Sequence, residues 1–159
     1  MLNAFYTAFS PACFALLGLW MVVVQLRIND WKESDRLGKS HVHLQRSYGV
    51  ALHFALPGIM SLLALVSPQD PLYWRVSFIV ISFSGAIVMY LLRAHIEDIP
   101  VWLDNAVHGA AIAIYLLIGV FAILRLLRVE AILLTILVFL GFNVAWLLLY
   151  SRLPKKKVG

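Results

Sequence analysis

Five apolar runs, each about as long as a bilayer is thick, constrain this chain more than any other feature. A hydrocarbon core of about 30 Å needs about 20 helical residues to cross it. The runs cover residues 4–26, 48–66, 76–92, 106–124 and 131–150. In lipid, each backbone N–H and C=O must be satisfied within its own segment, so each run is expected to be an α-helix. Composition agrees. Hydrophobic residues make up 62% of the 159 and charged residues 13%, where a soluble domain carries about 25% charged. The mean hydropathy is +0.89. The expected fold is a single all-α transmembrane domain of five helices, in which the first run is a retained helix. It has no basic n-region, and no small-residue cleavage site follows it.

The fourth and fifth runs are separated only by Arg125, Leu126, Leu127, Arg128, Val129 and Glu130. One continuous helix of about 45 residues would be about 67 Å long, twice a bilayer. A hairpin is therefore expected, with the three charges marking its turn.

Orientation follows from where lysine and arginine fall. Arg27, Lys32, Arg36, Lys39 and Arg46 lie in the loop 27–47, Arg93 follows the third run, and Arg152, Lys155, Lys156 and Lys157 lie in the tail 151–159. The opposite side has only Arg75, Arg125 and Arg128. This places the N-terminus outside and the C-terminus in the cytoplasm, and suggests a bacterial cytoplasmic (inner) membrane. The net charge of +5 then points to anionic lipid headgroups on the cytoplasmic face rather than to nucleic acid, with the lysine tail as topology signal and anchor. Segment 94–105 holds Pro100 and several apolar residues and is expected to lie in the headgroup layer, with Asp104 or Asn105 capping the fourth helix. Tyr73, Trp74, Trp146 and Tyr150 fit interfacial aromatic belts. The lone cysteine, Cys13, falls inside the first run and reads as a small buried hydrophobe.

Chemistry has few places to reside. All five histidines map to the cytoplasmic half: His41, His43, His53, His95 and His108. A polar residue within the bilayer is costly and points to function. His53 is the deepest histidine and sits on an i, i+4 row with Gln45, Gly49, Pro57 and Ser61, a small and polar face suited to helix contact or to a solute. Pro57 and Gly58 free backbone carbonyls near mid-span. With Asn143 of the last run, His53, Gly49, Pro57 and Ser61 are the candidate pore or ligand residues. A pore of this kind is expected to form between copies of the chain, because the polar inventory of one copy is small. The face Ala106, Gly109, Ala110 and Ala113 of the fourth run suits close helix packing, first of all within the chain. Arg125 and Arg128 read as interfacial anchors, not as a voltage sensor.

Two other readings use the same histidines. His53 and His108 fall on parallel helices at similar depth, about 5–10 Å from the inner interface, the minimum for bis-histidine ligation of haem b. His41 and His43, with His95, Glu97 and Asp98, make a mixed nitrogen and oxygen set that a divalent metal would accept. No catalytic constellation is present. In outline, five spans in 159 residues, the chain resembles the translocator-protein family, but it lacks that family's tryptophan- and proline-rich loop, so no residue role transfers. The leading expectation is an oligomeric ion channel or small-solute transport protein with a histidine site on the cytoplasmic side. A haem- or metal-binding redox protein is the alternative, and a non-catalytic subunit of a larger membrane complex is the third class.

Overall fold

The structure is a computed structural model that describes residues 2–36, 42–66, 71–92 and 101–150. These residues form five α-helices: α1 (Leu2–Arg36), α2 (Val42–Val66), α3 (Pro71–Leu91), α4 (Val101–Leu124) and α5 (Leu127–Tyr150). Each contains a stretch of 20 to 28 residues long and apolar enough to cross a membrane.

All five helices extend beyond their apolar runs, and three of these extensions place residues of the site and the core. α1 continues ten residues past residue 26, because Trp31 still has a core to enter. It is buried with Trp20, Val50, Phe54 and Leu148 and stacks on the His43 ring, centroids 6.2 Å apart. α2 begins at Val42 rather than near residue 48, which moves Arg46 from the expected loop into the helix. α4 begins at Val101, so Asp104 is a first-turn residue and not its cap, and residues 101–105 of the expected interfacial segment are helical.

α2, α3, α4 and α5 form a ring in which each helix packs on the next and α5 closes on α2, while α1 lies outside against α2 and α5. α2 and α4 stand on a diagonal and meet through side chains. Tyr115 of α4 fills that diagonal: it is fully buried, its hydroxyl lies 3.5 Å from the Leu52 carbonyl of α2, and its ring packs where a Cβ on Gly85 of α3 would come within 2.8 Å. The main core, with Met60, Phe78, Met89, Ile118, Leu134 and Leu137, fills the rest of the ring.

α1 joins this ring through specific bonds. The Ser10 hydroxyl donates to the Gly58 carbonyl at 3.0 Å, and the Trp20 indole N–H to the Ser47 carbonyl at 3.0 Å. Cys13 is buried at this contact, as its place in the first run suggests. Trp74, expected in an aromatic belt, instead turns into the core and packs edge-on against Phe78; Trp146 and Tyr73 remain exposed.

The α4–α5 hairpin turns on Arg125, whose φ of 61° is left-handed. The Leu126 N–H bonds the Phe121 carbonyl at 3.1 Å and the Arg125 N–H bonds that of Ala122 at 3.4 Å. This is a Schellman ending with arginine where glycine is usual. The charges therefore mark the turn, but the turn is tighter than expected: α5 starts at Leu127 and draws Glu130 into the bundle. Arg75 of α3 caps the same end, donating from Nε to the Ala122 carbonyl at 3.1 Å and from Nη2 to that of Ile123 at 3.0 Å.

Candidate functional site

At the end of the bundle where α2 and α4 begin, the diagonal opens into a small cavity of about 10 Å³. That is about the space of one water molecule. All four ring helices contribute to its wall: Arg46, Gly49 and His53 from α2, Met89 from α3, His108 from α4 and Val144 from α5.

Helical spacing delivers these groups. Arg46, Gly49 and His53 are separated by three and four residues and share a face of α2, as Asp104 and His108 do on α4. Across the diagonal, Arg46 donates from Nη2 to the Asp104 carboxylate, both side chains being buried. Its Nη1 lies 3.1 Å from the His108 ring nitrogens. His108 Nδ1 is 3.0 Å from the Asp104 backbone carbonyl. The tautomer that satisfies both contacts donates from Nδ1 to that carbonyl and accepts from Arg46 at Nε2.

His53 occupies the cavity's deep end, 4% exposed. Its Nδ1 donates to the Gly49 carbonyl at 2.7 Å, which leaves Nε2 as an acceptor. That nitrogen is buried and has no hydrogen-bond partner among the described residues. The Tyr115 ring lies beyond it, centroids 6.3 Å apart. Pro57 lacks the N–H that would hold the His53 carbonyl four residues earlier. Gly141 of α5 sets how closely the helices meet here: a Cβ on it would stand 2.4 Å from the His53 Cβ.

The residues singled out from sequence separate into groups. His53, Gly49 and His108 come together at the cavity. Pro57 and Ser61 lie on the same helix further into the bundle, both buried, with the Ser61 hydroxyl donating to the Pro57 carbonyl at 2.8 Å. Asn143 is exposed on the outside of α5, its amide on the Phe139 carbonyl at 2.8 Å, and does not join them. Of the possible metal set, His43 stacks on Trp31, while His41, His95, Glu97 and Asp98 lie outside the described residues. Among the described residues no three His, Cys, Asp or Glu side chains gather to hold a metal. Ala106, Gly109, Ala110 and Ala113, expected to pack within the chain, are all exposed. The buried face of α4 is Asp104, Ala111, Tyr115, Ile118, Gly119 and Ala122.

Arg46 and Asp104 are the residues at the cavity that the sequence alone does not single out, since one falls in an expected loop and the other at an expected cap. The spacing that reveals them is present: extending the α2 row seven residues back from His53 reaches Arg46, and four residues back from His108 lies Asp104.

Fold and site together define the class: a small polytopic all-α membrane protein with a water-sized cavity, lined by Arg46, His53 and His108 among others, at one end of a four-helix ring. Compared with protein-family models, curated proteins and solved structures, the chain matches none.

Proposed function

We propose that this protein is a membrane transport protein that admits a small ion or solute from the cytoplasmic side to the cavity between α2 and α4. One observation carries this reading: a water-sized cavity walled by all four ring helices, with a buried acceptor nitrogen on His53 that has no hydrogen-bond partner among the described residues. An arrangement serving only to hold helices together would be expected to satisfy that nitrogen internally, since an unmade buried hydrogen bond costs about 1–3 kcal/mol. The Arg46–Asp104–His108 network crosses the cavity mouth and would act as its gate, while Tyr115 and the apolar core close the path beyond His53. Placing this end in the cytoplasm follows the lysine and arginine distribution.

Because the site lies within one chain, each copy would carry its own pathway, in place of the pore between copies that the sequence suggested. A homo-oligomer remains part of the proposal, with the outward small-residue face of α4 as support. Haem ligation by His53 and His108 is less well supported. Both rings line one cavity, but a porphyrin needs far more room than a single water, and both nitrogens of His108 already have partners.

Flux into liposomes holding the purified protein tests the reading, with an entrapped pH dye and then potassium- and chloride-sensitive dyes as reporters. The expected result is a gradient-driven flux above that of empty liposomes, returning to their level in His53→Phe. No flux with any reporter, or a flux indifferent to His53→Phe in a folded protein, would reject transport through this site and leave a role as a subunit of a larger complex.

A further inference from the structure

At the opposite end of the bundle, the Glu130 side chain is fully buried, and neither carboxyl oxygen has a hydrogen-bond partner among the described residues. Proteins rarely leave a carboxyl group in this state, since a buried charge is normally paired or hydrogen-bonded. Among the described residues, the groups around it are few. From α1, Tyr6 is within electrostatic range of Glu130, but its hydroxyl is directed to the Leu127 carbonyl at 3.2 Å. From α3, Arg75 is within electrostatic range, but its Nε and Nη2 are engaged on the carbonyls ending α4. Arg125 and Arg128 beside the turn are exposed, and α2 between Phe54 and Val66 has no titratable side chain. The carboxyl is therefore enclosed in the first turn of α5 without a donor among the described residues.

We propose that Glu130 is a proton-binding site at the end of the bundle opposite His53. A proton is the ligand such a site accepts, because it takes no volume and turns one orphaned oxygen into a donor. The carboxyl sits about 6 Å along the helix from the exposed Arg125–Leu126 turn, at 1.5 Å per residue, so exchange with that face requires local opening only. The bundle then holds a proton acceptor at each end: an imidazole at one, a carboxyl at the other.

Infrared difference spectra of the full chain in lipid, recorded as the pH is stepped, test this directly. The expected signal is a titrating carbonyl stretch at the high-frequency end of the protonated-carboxyl range, where a carboxyl without hydrogen bonds absorbs, and its loss in Glu130→Gln. If that variant does not assemble, Glu33→Gln with Glu97→Gln leaves Glu130 as the chain's one glutamate. Carbon-13 glutamate should then move the same band to lower frequency. A carboxylate that persists over the whole pH range, a band that ignores the label, or a response to sodium at constant pH would overturn the proposal. The readout is the carboxyl itself, so such a result would leave the site at His53 untouched.

Discussion

The buried pair Arg46–Asp104 is the costliest element of the site. Bringing two ions out of water into a bundle is repaid only while both are present, and deleting one partner of a buried pair typically costs about 3–5 kcal/mol. Arg46→Met and Asp104→Asn should each destabilise the protein by about that amount, read as loss of the folded fraction in a detergent-denaturant titration. The double change Arg46→Met with Asp104→Leu removes both charges and should recover most of the stability. Near-additive losses would show that the pair is not coupled. His53 poses the reverse question, since its cost lies in the nitrogen left without a partner. His53→Phe is therefore expected to be near neutral for stability while abolishing the proposed flux, a separation that a purely structural histidine would not produce.

At the level of elements, approach distances decide the site's shape. α5 comes against α2 at Gly141, where an added Cβ would meet the backbone-proximal His53 Cβ at 2.4 Å. A Cβ cannot swing aside as a side-chain end can, so Gly141→Ala must push the two helices apart. Overpacking of this kind costs about 1–3 kcal/mol and should open the water-sized cavity as well, seen as a lowered Tm and altered flux. Gly18 of α1 is the control: nothing lies within 4 Å of an added Cβ. Gly18→Ala should be neutral or stabilise by up to about 1 kcal/mol through helix propensity. Equal effects of the two changes would remove Gly141 as the spacer. Tyr115 works at the same scale by filling the α2–α4 diagonal, and its hydroxyl contact of 3.5 Å is long enough that its ring bulk carries the packing.

For the whole molecule, the arrangement places α1's end, α2's start, α3's end, α4's start and α5's end on one side. Lysine and arginine distribution assigns that side to the cytoplasm. Single-cysteine labelling checks the assignment, because the native Cys13 is 1% exposed and is readily replaced by alanine for a silent background. Asn29, near the inner part of α1, and Arg125, at the α4–α5 turn, are both exposed. In intact cells a membrane-impermeant maleimide should label Arg125→Cys and should reach Asn29→Cys only after permeabilisation. The reverse pattern would invert the topology, and with it the side from which the cavity at His53 is reached.

Much of the fold was legible because the bilayer limits a chain to few choices. Length, apolar content and the need to satisfy each peptide group give five helices without any knowledge of how they pack. The row containing Gly49 and His53 was legible for the same reason: helical spacing alone puts these residues on one face. What the sequence could not determine was which face meets which, since rotation of a helix about its axis is set by its partners. Arg46 found Asp104 and His108 only once α2 and α4 stood on a diagonal. Glu130, read from its neighbours as a turn residue, became a buried carboxyl because a left-handed arginine closed the hairpin and let α5 begin at Leu127, four residues earlier than expected. Asn143 and the small-residue stripe of α4 turned outward by the same logic. Hydrophobicity decides that a segment crosses the membrane, but only tertiary packing decides which of its polar side chains meet.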